Sequence, residues 1–302
     1  MDRQLHYNMA AVPCTCGELF QGTLDREPCL VSCPIDSYSS GQFAELSEPG
    51  QPQAHQSAGG RKVARALEII AARVGRRLSV QVEDTLPSGR GYGTSTADIG
   101  AALFAASRAL DLNLTAAEAS HIAVQIEPTD STFFAGLNLF DHRSALFNQP
   151  LGSAPPARLL ILDPGGAVDT EEFNARDLRK PLAKLAQQHL EAFTLLQQGI
   201  KTGDLLVIGA SSTLSAAAHQ SILPNSLVDL ALPLSKQLGA AGICRAHSGT
   251  IVGLIFPQDY DQDAVLEYLS VKLPANVQIR PARLVDGGPR YAPADKPCLQ
   301  IG

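Results

Sequence analysis

Three glycines alternate and then give way to three hydroxyls in residues 86–99, LPSGRGYGTSTADI: Gly89, Gly91 and Gly93 lead into Thr94, Ser95 and Thr96. Glycine reaches positive φ without steric cost and lets a ligand come close to the backbone. Beyond the loop, Ile99, Leu103, Ala106 and Leu110 recur at helical spacing. The segment therefore opens a helix, whose first N–H groups lack intrahelical partners and whose dipole leaves partial positive charge. A phosphate fits there, and a neighbouring hydroxyl can ligate a phosphate-bound Mg2+. The plain alternative is a glycine-rich turn capped by Ser or Thr, which any strand-to-helix junction can use.

Three phosphate loops compete for this string. A Walker A loop requires a Gly-Lys pair, and none follows here. The dinucleotide fingerprint G-x-G-x-x-G nearly fits, but Thr94 or Thr96 stands where its third glycine belongs. The next predicted element is also another helix, 115–127, and not a strand ending in an acid. A third pattern, P-x3-G-x-G-[ST]-S-[ST]-A, is matched position by position by Pro87, Gly91, Gly93, Thr94, Ser95, Thr96 and Ala97.

Two carboxylates stand out downstream. Glu127 follows Ala123 by four residues on the apolar stripe of helix 115–127. A carboxylate at the edge of an apolar face is costly unless paired or metal-bound; the bland reading is a half-exposed surface glutamate. Asp130 follows Pro128, where the chain must leave the helix, and its bland role is an Asx-turn. Asp98, in the first turn of the loop helix, reads as structural, as do His142 and His247. Cys14, Cys16, Cys29 and Cys33 form a C-x-C then C-x3-C arrangement, whose first pair is too tight for an ordinary zinc knuckle. Buried thiols are the expectation.

The loop string resembles the ATP loop of the GHMP kinases. Two further stretches are similar to that superfamily: Pro13 to Gly22 (PCTCGELFQG) looks like its first motif, and Gly242 to Thr250 (GICRAHSGT) like its third. All three occur in order across nearly the whole chain. CGELFQG at 16–22, LVSCPID at 30–36, STADI at 95–99 and EPTD at 127–130 narrow the resemblance to the L-threonine kinases linked to cobalamin synthesis and propanediol utilisation. Two positions depart from it: Gly93-Thr94 replaces a small-Ser pair, and Ser37 stands where an aromatic is more familiar.

The resemblance implies an ATP-dependent kinase of a small amino acid. ATP would lie in a cradle of Pro87, Ser88, Gly89, Arg90, Gly91, Tyr92, Gly93, Thr94, Ser95 and Thr96. Ser95 and Glu127 would ligate Mg2+, and Asp130 would sit beside the substrate hydroxyl as base or orienting group. Glu18 and Asp36 are candidates for the substrate ammonium. Arg143 and Arg245 are candidates for its carboxylate, because arginine forms a bidentate fork. Homoserine or another small amino alcohol is the alternative acceptor, and a catalytically silent nucleotide-binding regulator the alternative class.

The elements that must position these groups are mixed. Strands are expected at 28–35, 78–83, 158–162, 250–256 and 277–285. Val63, Leu67, Ile70 and Val74 mark a helix, and others are expected over 177–199, 203–218 and 224–238. Polar, Pro- and Gly-rich stretches at 47–60 and 148–157 read as loops, and 286–302 as irregular. The mixing is not strictly alternating, so the fold class is α+β. The resemblance divides it into two domains, 1–150 and 151–302, with the active site in the cleft between them. The 302 residues carry a net charge of −6, which argues against a nucleic-acid partner. No apolar run approaches roughly 18 residues, so no membrane span is expected. The start, MDRQLHYNMAAV, shows no signal-peptide core, so the expected address is cytoplasmic. The expected partner is a small-molecule substrate, with a homodimer left open.

Overall fold

A computed structural model describes residues 9–47, 60–166 and 179–291. The chain runs β1 (Met9–Leu24), β2 (Glu27–Ser47), α1 (Gly60–Val74), β3 (Arg77–Glu83), α2 (Thr94–Ala109) and α3 (Ala116–Val124). A short 3-10 turn (Ser131–Phe133) leads to β4 (Leu137–Phe140), β5 (Asn148–Gly152) and β6 (Ala157–Asp163). Then come α4 (Arg179–Lys184), α5 (Ala186–Thr202), α6 (Leu205–His219), α7 (Ser226–Gln237), β7 (Gly242–Arg245), β8 (Val252–Pro257), α8 (Gln262–Lys272), β9 (Gln278–Arg283) and β10 (Arg290–Tyr291). The architecture is α+β, as expected. Among the described residues no helix is long and apolar enough to cross a membrane.

The ten strands form one sheet in the order β5-β4-β2-β1-β7-β8-β6-β9, with β3 added on β2 and β10 on β1. The halves either side of residue 150 meet where Glu18 of β1 stands opposite Arg245 of β7. Residue 150 itself lies inside β5, so part of the expected 148–157 connector is a strand.

β1 was not foreseen as a strand. Its register against β2 shifts three times between Pro13 and Phe20, which breaks the two-residue alternation that marks a strand in sequence. The hairpin that follows turns at Asp25 and Arg26, both with positive φ, the geometry that matches strand twist in a two-residue turn. At Gly17 a side chain is impossible: a Cβ would lie 2.2 Å from the Arg245 carbonyl oxygen.

Helix α2 is buried almost all round, from Ala97 to Ser107. Its small residues let it lie directly on β1 and β2, where a Cβ at Gly41 would meet the Ala101 carbonyl at 2.5 Å. That packing fixes the helix end carrying the glycine loop. Helix α3 is shorter than expected: it ends at Val124, and the Ile126 and Glu127 N–H groups both donate to the Ala123 carbonyl. Glu127 therefore leaves on a closing turn, free of the helix face. The segment expected as one helix over 177–199 is two, α4 and α5; its first two residues lie outside the described ones. Most of the expected 47–60 loop lies outside them as well.

Candidate active site

A cavity of about 1000 Å³ opens over the N-terminus of α2. Gly91, Ser95, Glu127 and Asp130 line it from the first half of the chain, and His219 and Ser248 from the second.

The glycine loop is its floor. Gly89, Gly91 and Gly93 all have positive φ, of 76°, 100° and 63°. At Gly91 a Cβ would sit 2.1 Å from that of Ala246, so glycine is required by contact as well as by conformation. Backbone bonds sew the loop to two other segments. The Thr15 and Gly17 N–H groups donate to Tyr92 and Gly91 carbonyls, and those of Thr250 and Ile251 both donate to the Arg90 carbonyl.

Two loop side chains anchor it from below. Tyr92 Oη and Arg90 Nη1 each donate to Asp163 Oδ2 at 3.0 Å, while the Gly165 N–H donates to Oδ1. Asp163 is fully buried at the end of β6. Arg90 and Pro87 do not line the cavity; the other eight expected cradle residues do.

Gly93 is the N-cap of α2, and no side chain caps that helix. The Ser95 hydroxyl donates instead to Glu127 Oε1, so the capped-turn reading fails. Lys62 Nζ of α1 reaches the other oxygen of the same carboxylate at 2.6 Å. A hydroxyl and a carboxylate at the mouth of an uncapped helix are hard oxygen donors and fit Mg2+, which keeps few protein ligands when it also binds phosphate. Among the described residues no cluster of three His, Cys, Asp or Glu side chains could hold a metal by itself.

Asp130 sits beside this pair. Its carboxylate accepts from Ser32 Oγ at 3.1 Å, its N–H donates to Thr96 Oγ1, and a Cβ on Gly93 would lie 2.8 Å from its Oδ2. It precedes the 3-10 turn without capping it, so the Asx-turn reading fails too. Burial, then the charge of Glu18, pushes its pKa up to about 7. Glu18 also lines the cavity; burial raises it to about 8, against the opposing pull of the His247 N–H and Arg245. Its Oε2 accepts from the His247 N–H at 3.0 Å and lies 2.7 Å from His247 Nδ1.

Residues 61–136 match the sequence profile described as the GHMP kinases N terminal domain. Along most of its length the chain is similar to two L-threonine kinases. It is 33% identical over 254 residues to that of Salmonella typhimurium, covering 82% of each chain. It is 31% identical over 268 residues to that of Citrobacter freundii, covering 87% of this chain and 92% of the relative. The chain belongs to the GHMP kinase family. This GHMP kinase is a phosphotransferase that uses an alcohol group as acceptor. Its fold is similar to that of the homoserine kinase of Cytophaga hutchinsonii, with a TM-score of 0.65 at 14% identity over 93% of this chain and 96% of the other.

Not every expected substrate residue reaches the cavity of the kinase. Arg143 lines it. Arg245 does not: it is fully buried, and its guanidinium donates to Gln220 Oε1, the Leu223 carbonyl and the Ala246 carbonyl. Its donors are consumed in joining β7 to the end of α6. Asp36 is turned away as well, its two oxygens taken by the N–H and Nε of Arg283, both at 2.7 Å.

Other residues in the wall were missed or set aside. His142, read as structural, lines the cavity with its Nδ1 unpartnered, and burial lowers its pKa to about 4. Lys62 and His219 belong to no motif that would have marked them, and Ser32, though it lies in the 30–36 string, was given no role there. The five described cysteines are buried free thiols; the Cys16 and Cys244 sulfurs lie 3.7 Å apart. Cys298 lies outside the described residues.

Proposed function

We propose that this kinase transfers the γ-phosphoryl group of ATP to the side-chain hydroxyl of L-threonine, with Mg2+, giving O-phospho-L-threonine for cobalamin side-chain synthesis in the cytoplasm. The observation that carries the reading is the placement of Asp130. Its carboxylate lies against Gly93 of the phosphate loop, beside the Ser95–Glu127 pair, with neither oxygen spent on capping its own turn. The two L-threonine kinases that the chain matches along most of its length support the acceptor.

The residues act as follows. The uncapped N-terminus of α2 receives the phosphates, with its dipole and N–H groups aimed at negative charge. Ser95 and Glu127 would hold Mg2+, which when bound neutralises charge on the transferring phosphoryl group. Asp130 accepts the hydroxyl proton as the acceptor oxygen bonds to phosphorus. The bond from phosphorus to the bridging oxygen breaks, and its electron pair leaves with ADP. A pKa of about 7 suits a base that must be ionised yet must take a proton near neutral pH. Glu18 offers its carboxylate to the substrate ammonium and Arg143 its guanidinium to the carboxylate, both from the cavity wall.

The test is ADP release with Mg-ATP against L-threonine, L-serine, L-homoserine and 1-amino-2-propanol, with a buffer blank. A strong preference for L-threonine is expected. Preference for another alcohol replaces the acceptor and keeps the phosphate side. ATP binding with no turnover on any of them overturns the reading in favour of a regulator.

A further inference from the structure

A triphosphate brings several negative charges, and phosphate loops of the Walker type meet them with a lysine of their own. This loop has none. Between Leu86 and Thr96 its sole cationic residue is Arg90, and Arg90 is committed below the loop to Asp163 and lies outside the cavity wall. A positive side chain for the phosphates would come from another element, and Arg61, Lys62 and Arg65 all line the cavity from α1.

Helix α1 supplies a candidate. Arg61 and Lys62 stand in its first turn, where no acidic residue accompanies them. Cations at a helix N-terminus oppose the dipole, so this placement works against the helix unless an anion answers it. Lys62 lines the cavity and its Nζ lies 2.6 Å from Glu127 Oε2, while Ser95 holds Oε1 of the same carboxylate. The ammonium is thus fixed at the mouth of the phosphate loop by the acid expected to face the metal. It is 37% exposed, and an exposed pair of this kind contributes little to stability. A lysine ammonium carries three donors, of which Glu127 accepts from one.

We propose that Lys62 is a catalytic residue of the phosphoryl transfer, its ammonium binding the β- and γ-phosphate oxygens of ATP while Glu127 holds it in position. As the bond between phosphorus and the bridging oxygen breaks, charge gathers on the β-phosphate of the departing ADP. A cation already in place there stabilises that change without rearrangement. The proposal rests on the kinase reading of the site but not on the identity of the acceptor.

The test compares Lys62→Met, which keeps the stem and removes the charge, with Lys62→Arg, which keeps the charge. Calorimetric titration with ATP, ADP and AMP, each with and without Mg2+, needs no acceptor. For Lys62→Met the expected result is ATP affinity lowered about 10-fold or more, AMP affinity within twofold of the parent, and kcat lowered about 100-fold. Lys62→Arg should recover much of the ATP affinity. Equal weakening for ATP and AMP, or ATP affinity and kcat within twofold of the parent, overturns the proposal. So does tighter Mg2+ dependence in Lys62→Met, which would make Lys62 a mere competitor for Glu127. If the parent chain binds ATP but does not turn over L-threonine, the acceptor falls, and the ATP-against-AMP comparison still decides Lys62.

Discussion

The two ends of the cavity are built on opposite principles. At the phosphate end the supports beneath the loop are paired, while the α2 N-terminus above them stays uncapped: Asp163 takes donors on both oxygens, and the Arg90 carbonyl accepts from both Thr250 and Ile251. At the acceptor end the groups are poised. Asp130 and Glu18 are pushed toward neutrality by burial, and His142 Nδ1 in the cavity wall is buried without a partner. A triphosphate arrives with its own charge, so its cradle needs rigidity and oriented dipoles. The amino acid proposed as acceptor would arrive with an ammonium, a carboxylate and a proton to lose, so its end would need unfilled hydrogen-bonding capacity, at a cost in stability.

The sharpest way to break this contrast is Asp130→Asn. It should lower turnover by about 10²–10⁴-fold while ATP binding is kept, because it removes the proton acceptor and leaves the loop untouched. Unchanged turnover would remove Asp130 from the chemistry. The same variant tests the cost of poising. Burial raises the folded-state pKa of Asp130 to about 7 from an ordinary 3.8, so between these values the folded chain binds more protons than the unfolded one. Stability from this group therefore falls as pH rises through that window. Without nucleotide, Asp130→Asn should show a higher urea midpoint than the parent at pH 8. That advantage should shrink toward pH 5. A variant less stable than its parent at pH 8 would show that the carboxylate is comfortable there.

The phosphate end should respond differently, in binding before chemistry. Asp163 has one oxygen facing the Gly165 N–H and the other facing Tyr92 and Arg90. An amide at this position offers one acceptor and must turn a donor toward donors on the other side. Asp163→Asn should loosen the loop from beneath, raising KM for ATP about 10-fold with a smaller change in kcat. Arg90 is partly exposed and can resolvate, which limits the damage. Steady-state kinetics with varied ATP would check it. A drop in kcat at unchanged KM would instead place Asp163 in the chemical step.

How much of this was legible follows from how local each signal is. The loop and α2 could be read directly, because glycine conformation, hydroxyl placement and helical spacing all lie within about two dozen neighbouring residues. β1 could not, because three register shifts scrambled its alternation. Lys62 gave no local signal, and Ser32 lay in a recognisable string without a readable role: each acquires meaning by lying opposite a residue 65 or 98 positions further on. Arg245 shows the reverse failure. It lies in a motif and carries the right chemistry, but its donors are used up inside the protein by Gln220 and two carbonyls. Sequence indicates which groups can form a fork, but not which fork has already closed on something else.

Asp36 puts that last point to the smallest and cleanest test. It stands in the motif-bearing segment 30–36 and was expected at the substrate ammonium, as Glu18 was. Its carboxylate is instead bound by the Arg283 N–H and Nε, away from the cavity wall. The guanidinium of that pair is about half exposed, where salt and water screen the charge and such a pair contributes little to stability. Asp36→Asn keeps an acceptor for the Arg283 N–H and should leave KM for the amino acid within twofold of the parent. Glu18→Gln, in the wall itself, should raise that KM by a clearly larger factor. If the two variants weakened substrate equally, Asp36 would have to leave Arg283 when substrate binds, and the acceptor end would extend further along β2 than its cavity does.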